Sequence, residues 1–166
     1  MNSISMPNRI VALLFLLLLN SCNSYRKSVQ DNNNHIAIKA LTYGITRGQI
    51  AKKEKTNQEN TFDGTLLQKT NNIPAVLGNQ FGVLFEVKSN QLVALPIEIV
   101  WILPKVIVNH RGEQTNRMSS TAMCTTNSPL WASYGLDVQN EVIKGKWTCQ
   151  IYYKGTKLYQ KQFILY

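Results

Sequence analysis

Acidic residues, histidine and cysteine are all scarce in this chain. Of its 166 residues only nine are Asp or Glu, two are His and three are Cys. Three cysteines are too few for a disulfide-dense mini-protein, which uses bridges in place of a core. The histidines, His35 and His110, stand alone, and no H-x-x-x-H or C-x-x-C spacing accompanies them, so no metal site is expected. The carboxylates are scattered, with no E-x-E or D-x-D pair, and Walker, dinucleotide-glycine and G-x-S-x-G patterns are missing. No motif therefore names an enzyme class, and no cofactor is expected. Long apolar runs are scarce too: the one unbroken run, Ile10 to Leu19, has 10 residues, about half of what a membrane-spanning helix needs. What is present is an apolar content of 44%, too high for a disordered chain. The length suits one domain, and a large multidomain enzyme and a polytopic membrane protein are excluded.

The first residues read as an address. Arg9 is the only charged residue before position 26, and the apolar run follows it directly. A positive residue followed by a short apolar core is the pattern of a secretory signal peptide. The run ends in Leu19-Asn20-Ser21-Cys22, which resembles the bacterial lipobox. The resemblance implies a diacylglyceryl group on Cys22, cleavage before it and acylation of the new amine, so residues 1–21 are expected to leave. The alternatives are a plain signal peptide with Cys22 incidental, and a buried apolar helix. Several acyl chains anchor stably where one would be marginal, which makes the membrane the first expected partner. Asn23 in place of Asp implies, by the sorting pattern of such lipoproteins, the outer membrane of a bacterial envelope, facing the periplasm. Cleavage leaves 145 residues carrying a formal charge of +8, against +9 for the whole chain. Residues 22–34, polar after Cys22, are expected to be a flexible tether.

From residue 35 to 166 the apolar pattern has period two or short apolar runs, and no stretch shows a convincing amphipathic helix. Ile36, Ile38 and Ala40 alternate, with Tyr43-Gly44-Ile45 expected to end that strand. Residues 47–60 read as an exposed loop or hairpin excursion. A strand over 62–70 follows, with Asp63-Gly64 read as a turn signal. Phe81, Val83, Phe85 and Val87 share one strand face. Residues 96–103 form the most apolar strand, expected to be central and closed by Pro104. Residues 106–108, 115–126 and 131–138 supply further strands. Trp147, Cys149, Ile151 and Tyr153 alternate towards a Lys154-Gly155-Thr156 hairpin, and the last strand runs from 158 to 166. The fold class expected is all-β, a sandwich of about seven or eight short antiparallel strands.

At that point the residues resemble a bacterial family, an exported domain of unknown function with an immunoglobulin-like fold. The resemblance is carried in order by Tyr43-Gly44-Ile45, Ile73-Pro74 with Gly78, Phe81-Gly82, Trp101 and Pro104. It continues through Tyr134-x-x-Asp137, Gly145-x-Trp147, Tyr153, Leu158, Gln162 and Phe163. It covers roughly residues 36–166, and Leu136 stands where an aromatic residue is usual. It implies an immunoglobulin-like β-sandwich in an envelope setting, with no catalytic residue and no ligand to carry over.

With Cys22 lipidated, Cys124 and Cys149 remain. In an oxidising compartment two thiols read as one disulfide, closing a loop of about 25 residues; the alternative is two buried thiols packing as small hydrophobes. Two basic groups stand out: Lys52, Lys53 and Lys55, and Lys144, Lys146, Lys154, Lys157 and Lys161 with Tyr152 and Tyr159 interleaved. They read as solvated, edge-protecting lysines, or as a face for an anionic envelope component. Nucleic acid is a poor partner for an exported lipoprotein. Glu86 and Glu98 read as ordinary outward strand residues. The function expected is a non-catalytic, lipid-anchored binding or structural module meeting an envelope protein or anionic component through loops at 46–60 and 105–117. The alternative is an inhibitor or enzyme acting on the cell wall.

Overall fold

The computed structural model describes residues 25–31, 34–51, 61–108 and 112–166. The strands in chain order are β1 (Tyr25–Arg26), β2 (Ser28–Asp31), β3 (Asn34–Ala51), β4 (Thr61–Gln68), β5 (Asn72–Ile73) and β6 (Gln80–Lys88). They continue as β7 (Ala94–Val108), β8 (Gln114–Thr125), β9 (Pro129–Gly135), β10 (Gly145–Tyr153) and β11 (Thr156–Leu165). Among the described residues the one helical element is a 3-10 turn, Gln139–Glu141.

Two sheets result. One has the order β1-β11-β10-β7-β8, with β5 added in parallel on β11. The other has the order β2-β3-β6-β9, with β4 paired to β3. Alternation builds the core between them, because successive side chains of a strand point to opposite faces. From β6 come Phe81, Val83, Phe85 and Val87; from β7, Ile97, Ile99, Trp101 and Leu103; from β10, Trp147, Cys149, Ile151 and Tyr153, all buried. The strand expected to be central is central: β7 pairs with β10 on one side and β8 on the other.

Several boundaries differ from the sequence reading, each for a local reason. Tyr43-Gly44-Ile45 does not end β3. A register shift between Ala40 and Thr42 turns the alternation over, so Ala40, Tyr43 and Ile45 all oppose the inward residues Phe85, Val83 and Phe81. Beyond them β3 continues as a hairpin with β4, within which Asp63 and Gly64 are paired strand residues and not a turn. Pro104 does not close β7 either. It lies between Ile102 and Ile107, where the ladder to β8 is interrupted, so its missing N–H costs no ladder bond.

The tether is corrected most. Within residues 22–34, β1 pairs antiparallel with β11 at Tyr25↔Gln160 and Arg26↔Tyr159. After Lys27, β2 crosses to the other sheet and pairs with β3 at Ser28↔Ala37 through Asp31↔Asn34. The polar composition of this segment is that of two edge strands, which need bury little to be held by backbone hydrogen bonds. The β10–β11 hairpin follows the reading: Tyr153 pairs with Thr156 across Lys154 (φ 46°) and Gly155 (φ 74°). Two left-handed residues there match the twist of the flanking strands.

Candidate interaction surface

The residues that carry the family resemblance converge, but on the core. Phe81 packs edge-on against Trp101, Trp147 and Phe163, with ring centroids 5.3, 5.8 and 5.2 Å apart. Tyr134 lies 5.6 Å from Trp101 and 5.0 Å from Trp147, again edge-on. Five strands thus contribute one ring each to a single cluster. Its polar edges are answered: the Trp147 indole Nε1–H donates to the Ile143 carbonyl at 2.9 Å. Burial, followed by the nearby carboxylates of Glu141 and Asp137, pushes the Tyr134 hydroxyl well above its ordinary pKa, so it stays protonated. Gly44 and Gly82, from two separate motif segments, oppose each other across the β3–β6 ladder. The rings of this series hold the sandwich together, while Asp137, from the same series, is exposed.

The polar chemistry lies on the outer face of the β11-β10-β7-β8 sheet and at the N-terminal edge. On the face, the Gln150 amide donates to Gln160 Oε1 at 3.0 Å, the Lys157 ammonium donates to the same atom at 3.1 Å, and the Tyr152 hydroxyl donates to Gln150 Oε1 at 2.9 Å. Arg117 sits 5.7 Å from the Tyr152 ring centroid and pairs with Glu98 at 3.3 Å. At the edge, the Tyr153 hydroxyl donates to Asp31 Oδ2, and the Lys154 ammonium meets Asp31 Oδ1 at 2.9 Å. Asp31 thereby fastens β2, in one sheet, to the β10–β11 turn of the other.

The Tyr153 hydroxyl and then Lys154 hold the Asp31 carboxyl below the usual carboxylate range. Lys154 is raised by its bond to Asp31, and Tyr153 is raised by burial and then by Asp31. A depressed carboxylate adds stability above its unfolded pKa and loses it as pH falls through the folded value. The raised lysine and phenol add stability at lower pH and lose it as pH rises through their folded values, above about 10. Asp31→Asn, which stands in for the protonated acid, is therefore expected to be less stable than wild type at pH 7. The difference should shrink as pH falls and vanish once it lies below the lowered folded pKa of the Asp31 carboxyl. Urea unfolding of both proteins at several pH values reads this out. A difference that does not change with pH would remove the ionised clamp.

The sequence-predicted site residues are dispersed. Cys22, His110, Lys52, Lys53 and Lys55 lie outside the described residues. Cys124 and Cys149 are both buried and are not joined to each other, which corrects the expected bridge. The register explains it: Cys124 opposes Leu95 and Cys149 opposes Trp101, on either side of β7. Six residues along a strand is about 20 Å, far beyond disulfide reach. Burial pushes the Cys149 thiol strongly up, so it packs as a small apolar side chain.

The second basic group splits. A register shift between Ile151 and Tyr152 places Tyr159 and Lys161 opposite the core residues Ile151 and Cys149, and leaves Lys157 outward opposite Tyr152. Lys161 is only 3% exposed, with its ammonium 3.5 Å from the Tyr43 ring centroid. Glu86 pairs with Lys88 at 3.0 Å, and Glu98 with Arg117, as expected of outward strand residues. His35 lies in the β2–β3 ladder opposite Gln30. The expected loops at 46–60 and 105–117 are partly strand, at 46–51, 105–108 and 114–117. Sequence reading missed Asp31 as an anchoring residue, because a lone Asp in a polar stretch carries no local signal.

Comparison with known proteins follows the architecture. A family model described as a domain of unknown function, DUF3859, matches residues 34–165. A crystal structure of an immunoglobulin-like protein from Pseudomonas aeruginosa aligns with a TM-score of 0.59 at 18% identity, covering 83% of this chain and 99% of that one. At that identity the likeness shows the fold. No curated protein matches the chain.

Proposed function

The chain belongs to the DUF3859 family of domains of unknown function, and from that premise we propose that it is a lipid-anchored, immunoglobulin-like module of the bacterial envelope. In this reading it faces the periplasm from the outer membrane and acts by binding or assembly, not by catalysis. The observation that carries the reading is the position of Cys22. It follows the apolar run Ile10 to Leu19, and the first paired residue among those described, Tyr25, comes three positions later. Removal of residues 1–21 thus takes away none of the described strands. The non-catalytic half rests on the family-like rings being spent on packing: Phe81, Trp101, Tyr134, Trp147 and Phe163 form one cluster.

A sandwich of this kind engages partners through its loops or by adding a strand at an edge. The β8 edge offers twelve residues rich in Ser and Thr, most of them exposed. For the anchor, Cys22→Ser is expected to move the protein from the membrane pellet to the soluble fraction of lysed cells, while the wild type stays in the pellet through a high-salt wash. Retention of Cys22→Ser in the pellet would refute the lipid anchor. For the binding role, crosslinking in the intact envelope should yield a discrete adduct lost when residues 52–60, beyond the end of β3, are shortened.

A further inference from the structure

We infer that the domain lies on its β1/β11 side against an anionic lipid surface, with Arg26, Lys27 and Lys157 as the contacting cations. This rests on the anchoring reading above and adds the orientation. The first paired residue among those described is Tyr25, and three Cα–Cα steps separate it from Cys22. Those steps span at most about 11 Å, so an acylated Cys22 keeps the β1 edge within about one Debye length of the headgroups.

The chemistry at that edge suits such a surface. Tyr25 opposes Gln160, and the Lys27 N–H donates to the Leu158 carbonyl at 2.8 Å, so β1 lies along the side of β11. Arg26 and Lys27 are exposed there. Lys157 lies over the Tyr25 ring at 4.9 Å from its centroid, which puts an aromatic face and an ammonium side by side. On the other flank the exposed Lys69 lies 5.8 Å from the Tyr43 ring centroid.

Opposing charge is muted here. Asp31, the carboxylate at this edge, is already bound to Lys154. Glu86 and Glu98 are paired on the outer sheet faces with Lys88 and Arg117. Asp137 and Glu141 sit near Tyr134, whose strand β9 belongs to the other sheet. A basic residue close to an anionic leaflet contributes about fivefold in binding. Lys105, Lys144 and Lys146 are as many and as exposed, so what favours this edge is that its three cations lie nearest Cys22.

The test uses the chain from residue 22 with Cys22→Ser, so that binding is reversible and does not depend on acylation. Its co-sedimentation is measured with phosphatidylethanolamine vesicles containing roughly 30% phosphatidylglycerol, at low salt. The triple variant Arg26→Gln, Lys27→Gln, Lys157→Gln is expected to bind on the order of 100-fold more weakly. A matched triple at the far end, Lys105→Gln, Lys144→Gln, Lys146→Gln, removes the same charge and is expected to bind within about threefold of the parent. Unchanged urea midpoints confirm that both triples fold.

Equal loss in the two triples would overturn the proposal, since net charge and not this edge would then be read. Equal binding to neutral phosphatidylcholine vesicles would overturn it as well. Concentration-dependent dimers broken by the first triple, in place of vesicle binding, would assign the edge to a second copy of the chain and also overturn it. Failure of the anchor itself shows separately, as a wild-type chain that carries no acyl group. The vesicle result stands or falls without it.

Discussion

Trp147→Ala is expected to lower the unfolding free energy by about 3–5 kcal/mol, the range for removing a large buried aromatic side chain. Trp147 is fully buried, touches Phe81 and Tyr134 edge-on, and bonds to the Ile143 carbonyl. Truncation leaves a cavity between two sheets that cannot close without moving strands. It also strands the Ile143 carbonyl and releases the loop around the Gln139–Glu141 turn. The size of the effect matters because a domain of this length is stable by only about 5–15 kcal/mol. Urea unfolding should show a lower midpoint with little change in slope. Val138→Ala, at a site 50% exposed, should stay within about 0.5 kcal/mol of wild type. A Trp147 loss of that small size would contradict the packing described here.

Gly44→Ala is expected to cost about 3 kcal/mol or more, although it adds a single methyl group. At φ +142° the backbone of Gly44 adopts a conformation that L side chains rarely reach. A Cβ there would also lie 2.0 Å from the Gln68 carbonyl oxygen and 2.9 Å from the Thr70 backbone nitrogen. Both neighbours are main chain, so no rotamer change can make room. The strain falls where β4 leaves β3, next to the pairing with Gly82. Reduced protection of β4 amides from hydrogen exchange, together with a lower unfolding midpoint, is the expected signature. A Gly44→Ala protein as stable as wild type would mean that this crossing is not built as described.

What could be read from the sequence follows the range of each signal. The strand faces of β6, β7 and β10 were legible because alternation over four inward positions is a local pattern that burial enforces. The hairpin at Lys154-Gly155 was legible because its two left-handed residues need turn chemistry. Boundaries were lost where pairing, and not side-chain pattern, decides. The register shift at Ala40/Thr42 lets β3 run on through Gly44, and an interrupted ladder lets β7 pass Pro104. The same holds for β1 and β2, whose polar residues look like linker and are strand only through partners more than a hundred positions away in β11, or across a turn in β3.

Chemistry was harder still. Two cysteines on alternating strands looked like a bridge, yet partners on the same central strand six residues apart keep them separate. Lys161 looked like its exposed neighbours, yet one extra residue in β11 turned it into the sandwich above Tyr43. The family-like residues were visible as a series but not as a cluster; only the fold shows that Phe81, Trp101, Tyr134, Trp147 and Phe163 serve each other. Asp31, which fastens the N-terminal strand to the last hairpin, had no sequence signal because its partners, Tyr153 and Lys154, lie at the far end of the chain.

In the proposed reading Cys22 carries the lipid, and the first described strand, β1, starts three residues behind it. The mass of the N-terminal proteolytic peptide, taken from protein extracted from bacterial membranes, tests it most directly. The expected peptide begins at Cys22 and is heavier than its sequence by a diacylglyceryl group and an amide-linked acyl chain. A peptide that begins elsewhere, or one containing Cys22 with an unmodified thiol, would contradict it.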